Sequence, residues 1–296
     1  WQQSVPAMAL RSLLRGSKLA GNASELAAAQ LEGSREFRRA RTARISGHQF
    51  WRHMRLSALR AGKTLLVRET QTNELYLLDP SKIDAGSYEE AMKPTGVRKF
   101  GELLDLAALA ALKVDLFLLG SLAVDPTGCR LAAVHATEEI EYSVLRQVGA
   151  VRATTPVATL VDDAQLVDEI PADMAACREV SVDLVCTPSR RIKTRRSLPK
   201  PASVDLAELA PADIDAFPLL LELRDAAEAA EQVPTPPRDD ARRSRRQLQG
   251  EGEGAAGEDD AELSARQMQR LREFQRAKCV RVPLHWRAAP LRLAAL

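Results

Sequence analysis

The sequence predicts an α/β fold, a three-layer α/β/α arrangement around a mostly parallel sheet, with helical and irregular extensions at both ends. Short apolar runs rich in Val and Leu recur along the middle of the chain, as in strands that are buried on both faces of a parallel sheet. Helical patterns separate these runs, as expected for crossover connections. The predicted strands are residues 64–67, 114–119, 157–161 and 182–187.

Two helical segments accompany the predicted strands. Residues 103–112 are apolar nearly all round and suit a packed helix that leads into the strand at Val114. Residues 138–148 carry apolar side chains at helical spacing, so we predict an amphipathic helix there. A loop precedes this second helix, and a strand-to-helix transition of this kind is where open α/β sheets bind ligands.

Composition divides the 296 residues into one domain and several extensions. A domain of ordinary size accounts for about 140 to 180 residues. Prolines end the helical pattern near residue 234, and a stretch rich in Gly and Glu with little apolar content follows. We predict a basic N-terminal arm with helices (1–60), an α/β domain (61–203), a helical extension (204–232), a flexible linker (233–260) and a C-terminal helix and tail (261–296).

The basic N-terminal arm is concealed by an overall charge of only +2. The first 63 residues hold twelve Lys and Arg and three Glu. Within them, residues 7–18 combine leucines, arginines and serines without an acid, which is the composition of a mitochondrial transit peptide. We therefore expect a mitochondrial protein.

Two basic segments are candidates for RNA contact. Residues 34–60 predict one or two basic helices, whose apolar residues either pack on the domain or serve as anchors elsewhere, while the excess of arginine favours contact with phosphates. Residues 190–196 form a second cluster, which is either a solvated loop or a contact to the RNA backbone. The candidate residues are Arg35, Arg38, Arg39, Arg41, Arg44, Arg52, Arg55, Arg190, Arg191, Lys193, Arg195 and Arg196.

Other site chemistry is weakly represented. The four cysteines form no C-x-x-C pair, so neither a zinc ribbon nor a disulfide framework is expected. The histidines lack metal-ligand spacing, and Asp162-Asp163 with Asp168 suits a turn better than a Mg²⁺ site, so no metal is expected. Charged residues interrupt the longest apolar stretch, 103–124, so a membrane span is not expected either.

The segment 128–142 reads G-C-R-L-A-A-V-H-A-T-E-E-I-E-Y. Here and over about residues 60–201 the chain resembles the 5-formyltetrahydrofolate cyclo-ligase family, most closely its methenyltetrahydrofolate synthetase domain-containing branch, which reads G-W-R-I-G-K-G-E-G-Y-A-D-L-E-Y at this place. The framework segments 114–124, 155–163 and 182–190 are similar to the family. The strand at 62–67 is similar too, but the family continues V-P-T-P-R-L-x-x-G, whereas this chain continues R-E-T-Q-T-N-E-L.

The resemblance implies that this loop wraps the phosphates of ATP in the family. This chain lacks the glycines and the lysine that phosphate binding would need. Glycine allows positive φ and close approach of the backbone to a phosphate, and a β-branched residue is strained in such a conformation. The missing Lys removes a point charge from the same place. The degenerate nucleotide loop comprises Ala132, Ala133, Val134, Ala136 and Thr137.

Two functional hypotheses follow. The first is a catalytically inactive cyclo-ligase-like protein that serves as a structural or assembly component of a mitochondrial ribosome or a related ribonucleoprotein. Its expected partners are ribosomal RNA and ribosomal proteins, without DNA, membrane, metal or cofactor. The alternative is an ATP-dependent folate cyclo-ligase with an altered site, which would use ATP and Mg²⁺.

Overall fold

The computed structural model describes residues 22–132, 137–170, 180–194 and 200–232. Every described residue lies in one compact unit of the chain, residues 1–233. The predicted transit-like segment, the flexible linker and the C-terminal helix and tail therefore lie outside the described residues.

An eight-stranded mixed sheet forms the centre of the described unit, in the order β10-β9-β8-β5-β1-β2-β3-β4. The five strands from β9 to β2 run parallel, and β10, β3 and β4 are antiparallel additions at the two edges. A separate hairpin, β6–β7, follows β5. The strands are β1 Thr42–Arg44, β2 Thr64–Arg68, β3 Leu75–Leu78, β4 Glu102–Leu103, β5 Leu116–Leu118, β6 Ser121–Val124, β7 Arg130–Ala132, β8 Val157–Leu160, β9 Leu184–Cys186 and β10 Arg191–Lys193.

Helices cover both faces of the sheet. The α-helices are α1 Asn22–Glu32, α2 Arg35–Arg39, α3 Arg52–Arg60, α4 Tyr88–Ala91, α5 Pro94–Phe100, α6 Leu106–Ala111, α7 Thr137–Gln147, α8 Pro211–Asp215 and α9 Pro218–Gln232. Short 3₁₀ turns occupy Gln49–Trp51, Pro80–Lys82, Ala85–Ser87, Asp163–Gln165 and Leu206–Glu208. Among the described residues, no helix combines the length and the apolar character needed to cross a membrane.

Alternation along the strands builds one apolar core on each face. Leu65 and Val67 of β2 join the core under α1 and α3, whereas Leu66 joins the core under α7 and α9. Phe117 of β5 belongs to the second core, and its two neighbours in the strand belong to the first. This period of two confirms the three-layer α/β prediction.

The predicted strands and the amphipathic helix are confirmed with small changes in their bounds. The helix predicted at 103–112 is shorter, because Asp105 caps it by accepting a hydrogen bond from the Ala108 N–H at 2.7 Å. Leu109 of α6 is buried, and Leu106 and Leu112 pack against the same core, so the helix is packed along one side.

Strand β1 is the largest departure from the sequence-based expectation. Residues 34–60 were expected to form basic helices, and α2 and α3 do lie there, but β1 runs between them and pairs with both β2 and β5. The second half of the basic arm therefore supplies a central strand of the sheet.

Candidate functional site

The carboxyl ends of three parallel strands converge on the first turns of α7. Arg44 ends β1, Arg68 ends β2, and the chain leaves β5 toward Gly120. Glu138 and Glu141 lie three residues apart in α7, so they share one face of that helix. Ligand sites of open α/β sheets lie at this position, beyond the carboxyl ends of the strands.

Arg44 is fully buried and bound to carboxylates. Its Nε donates to Oε1 of Glu141 at 2.6 Å, and its Nη2 donates to the other oxygen of the same carboxylate. Its Nη1 donates to the Leu118 carbonyl at 2.8 Å and lies 3.3 Å from Oε1 of Glu138. The guanidinium also stacks over the Phe117 ring, 4.7 Å from the centroid. Each of the three guanidinium nitrogens of Arg44 therefore donates to an acceptor inside the protein.

Arg68 approaches the same carboxylate from β2. Its Nε donates to Oε2 of Glu141 at 3.1 Å, and its Nη2 lies 3.4 Å from the Thr137 hydroxyl. Its remaining nitrogen, Nη1, donates to the side chain of Asn73. One buried carboxylate thus joins the ends of two neighbouring strands.

A second ion pair lies beside the first. Arg130, in β7, pairs with Glu139 of α7, and both side chains are almost fully buried. The same guanidinium donates to the Gly120 carbonyl at 2.7 Å and to the Val180 carbonyl at 2.8 Å. We call the three arginines and three glutamates, Arg44, Arg68, Arg130, Glu138, Glu139 and Glu141, the strand-end cluster.

Two groups of the strand-end cluster, Arg44 and Glu138, are held in their charged forms by their neighbours. Burial by itself disfavours the charged form of Arg44, but the carboxylates of Glu141 and Glu138 outweigh it and raise the pKa of that guanidinium. Burial likewise favours the neutral form of Glu138. Arg44, the Gly120 N–H at 2.9 Å and Arg130 nevertheless hold the pKa of Glu138 below its ordinary value.

The loop after β2 folds back at once as a tight hairpin. Arg68 pairs with Leu75 across β2 and β3. Glu69 closes the turn, because its carboxylate accepts the Thr72 N–H at 2.9 Å and its own N–H donates to the Glu74 carbonyl at 2.8 Å. This hairpin occupies the position of the V-P-T-P-R-L-x-x-G segment that the sequence lacks.

The degenerate loop is described only at its two ends. Ala132 ends β7 and is half-buried, and Thr137 begins α7 beside Arg68. Ala133, Val134 and Ala136 lie outside the described residues.

Two predicted RNA contacts are wrong. Arg44 is fully buried in the strand-end cluster, and Arg55 is 1% exposed. Arg55 donates to the carbonyls of Ser46, His48 and Met92, so its guanidinium holds backbone in the interior. Burial, together with the charge of Arg52, lowers the pKa of Arg55 to about 10.

The other candidate residues for RNA contact lie at the surface or outside the described residues. Arg52 is exposed and pairs with Glu89. Arg195 and Arg196 lie outside the described residues. The exposed remainder comprises Arg35, Arg38, Arg39, Arg41, Arg190, Arg191 and Lys193.

Sequence reasoning treated Arg44 as a surface charge and gave the glutamates of α7 no role. One signal was present: Glu141 lies three and four residues before the buried Val144 and Leu145, so it shares their helix face. A carboxylate that enters an apolar interior in this way needs a cationic partner. Among the described residues, no group of three or more His, Cys, Asp or Glu side chains is arranged to hold a metal ion. The side chains of Cys129 and Cys186 are buried.

The topology and the strand-end position define an open α/β protein with buried ion pairs at the carboxyl ends of its parallel strands. The chain belongs to the 5-formyltetrahydrofolate cyclo-ligase family, whose model matches residues 8–188. The resemblance inferred from the loop and framework motifs is thereby confirmed.

Curated relatives of this chain carry the name methenyltetrahydrofolate synthase domain-containing protein. The Mus musculus protein is 30% identical over 208 residues, which is 69% of this chain and 55% of that protein. The Homo sapiens protein is 31% identical over 175 residues, 58% of this chain and 45% of that protein. The chain thus spans about half the length of the curated relatives it matches.

A solved structure also resembles the chain. The 5,10-methenyltetrahydrofolate synthetase of Aquifex aeolicus aligns with a TM-score of 0.44 and 18% identity, covering 69% of this chain and 98% of that one.

Proposed function

We propose that this chain is a catalytically inactive member of the cyclo-ligase family and that it serves as a structural or assembly component of a mitochondrial ribosome or a related ribonucleoprotein. The observation that carries the proposal is the strand-end cluster. Its arginines occupy the place where a cyclo-ligase would bind ligand, and carboxylates of α7 already neutralise them.

ATP does not fit this arrangement. A triphosphate binds to cations or to backbone N–H groups that are accessible to it. The Arg44 guanidinium is fully buried, and two of its nitrogens already donate to the carboxylate of Glu141. A phosphate could bind Arg44 only by displacing one of its present partners, and displacing Glu141 would leave a buried carboxylate without this arginine. The degenerate loop also has alanines and a valine in place of the glycines whose backbone could approach the phosphates closely.

The ribonucleoprotein part of the proposal rests on the basic segments and on the extensions. Exposed arginines of α2 and of the β10 region offer contacts to a phosphate backbone. The linker composition at 233–260 suits a chain that becomes ordered on a large partner. Mitochondrial location rests on the composition of residues 7–18.

Calorimetry with purified full-length protein tests the loss of catalysis. We expect no heat of binding with Mg·ATP or with 5-formyltetrahydrofolate, and no turnover when both are present. Micromolar binding of both ligands would support the alternative, an ATP-dependent folate cyclo-ligase with an altered site, which membership of the family favours.

Sedimentation tests the assembly role. Mitochondrial lysate would be run on a sucrose gradient with and without ribonuclease, and the protein located by antibody. We expect it to migrate with ribosomal particles and to move to the top of the gradient after ribonuclease. Migration as a small species in both gradients would contradict a ribonucleoprotein role.

A further inference from the structure

The two basic segments, about 150 residues apart in the sequence, meet on one face of the sheet. In β10, Arg191 lies opposite Cys186 and Lys193 lies opposite Leu184. Directly paired residues point to the same face of a sheet, and both of these β9 residues belong to the core under α1 and α3. Arg191 and Lys193 therefore lie on the face that carries α1, α2 and α3.

Arg191 makes the junction between the segments. Its Nη1 donates to the Gln30 carbonyl of α1 at 2.9 Å. The same nitrogen lies 3.5 Å from the position that a Cβ on Gly33 would take, immediately before α2. The basic edge strand and the basic helix are thus neighbours in the fold.

Helix α2 contributes a stripe of arginines. Arg35, Arg38 and Arg39 lie at i, i+3 and i+4, which places them side by side on a helix. All three are exposed, while Phe37 faces the core at 4% exposure. Ser34 fixes the start of the helix by accepting the Phe37 N–H at 3.0 Å. We call Arg35, Arg38, Arg39, Arg191 and Lys193 the α2–β10 surface.

The cations of this surface differ from exposed cations elsewhere. Arg52, Lys82 and Lys99 each form an ion pair with a nearby glutamate. Within the described part of the chain, none of the five cations of the α2–β10 surface forms an ion pair, although Glu36 lies in the same short helix. Five exposed charges of one sign are thus concentrated without carboxylate partners.

We infer that the α2–β10 surface binds the phosphate backbone of RNA and that this binding does not depend on base identity. This inference rests on the proposed ribonucleoprotein role and names its contact surface. Phosphate contact supplies the anions that the five cations lack. The ring nearest to the arginine stripe, Phe37, is buried with the Lys63 ammonium 4.6 Å above it, so it offers no platform for stacking a base.

Fluorescence anisotropy with full-length protein and labelled oligouridine, titrated over a range of salt, tests the site. The slope of log Kobs against log salt is negative, and each lost phosphate contact to a single strand reduces its magnitude by about 0.7. We expect the triple variant Arg35→Gln/Arg38→Gln/Arg39→Gln to reduce the magnitude of the slope by about 2. The double variant Arg191→Gln/Lys193→Gln should reduce it by about 1.4. Oligoadenosine should bind within about twofold of oligouridine, because no base is read.

The matched control is Lys82→Gln/Lys99→Gln, which removes two exposed cations that already have carboxylate partners. Its slope should stay within about 0.5 of the wild type. Circular dichroism and the melting midpoint of each variant establish that the fold is intact, so that a changed slope reports a lost contact.

The outcomes separate this inference from the proposed function. If wild type binds RNA and sediments with particles but the variant slopes equal those of the control, the surface is wrong and the ribonucleoprotein role stands. If wild type sediments with particles but binds no RNA, the surface contacts something other than RNA and the inference fails. If neither occurs, both fail together.

Discussion

The arginines of the strand-end cluster and those of the α2–β10 surface differ in burial and in ion pairing. Arg44 is fully buried, stacks on an aromatic ring and binds a carboxylate with two nitrogens. Arg38 is exposed, only six residues earlier in the chain, and forms no ion pair within the described residues. The first kind of arginine holds the fold together, and the second is available to a partner. A count of basic residues therefore does not measure a binding surface.

The largest effect expected from this contrast follows removal of the carboxylate that Arg44 and Arg68 share. Glu141→Ala leaves one fully buried guanidinium and one nearly buried guanidinium without this partner, and breaking a buried pair in this way costs about 3–5 kcal/mol. Urea unfolding followed by circular dichroism measures the loss.

Glu89→Ala is the matched control for that experiment. Glu89 is half-exposed and pairs with Arg52 and Arg60 at the surface, where ion pairs contribute about 0–1 kcal/mol. Equal losses for the two variants would show that the strand-end cluster does not stabilise the fold.

The sequence predicts what hydrophobic periodicity controls. The strands at 64–67, 157–161 and 182–187 and the helix after the degenerate loop are all present, because apolar residues in those segments face a core. Strand β1 was missed because Thr42–Arg44 ends in an arginine, and the carboxylate that makes its burial tolerable lies 97 residues away. The local hydrophobic pattern of the sequence does not indicate a partner so far along the chain.

The same reason limits prediction of the basic surface. The sequence identified both basic segments, but the hydrogen bond that joins them links residues 161 positions apart. Sheet register decides that Arg191 and Lys193 share a face with α2, and register depends on pairing between strands. The burial of Arg55 is of the same kind, since the carbonyls that it holds become neighbours only after folding.

A smaller effect, with a pH signature, is expected for Glu138. Its folded pKa is below the ordinary value of 4.5, so its stabilisation is complete above about pH 4.5 and is lost as pH falls through the folded pKa. Glu138→Gln removes the charge and keeps an acceptor for the Gly120 N–H, so we expect a loss of about 1–2 kcal/mol at neutral pH.

Unfolding free energies measured from pH 7 down to pH 3 test the sign of that dependence. The variant should lose less stability than the wild type below about pH 4.5, because one of the carboxylates that must be protonated is gone. Parallel curves for the two proteins would mean that Glu138 is not held ionised by Arg44.

The smallest effect on stability is expected for the exposed arginines. Arg38→Ala/Arg39→Ala removes two surface side chains that form no ion pair within the described residues, and such substitutions change the unfolding free energy by no more than about 0.5 kcal/mol each. Urea unfolding of this variant beside Glu141→Ala makes the contrast quantitative. A loss from the double variant as large as that from Glu141→Ala would assign α2 a structural role and remove the distinction between the two regions. An unchanged stability, combined with weaker binding to RNA, separates the arginines that maintain the fold from those that contact a partner.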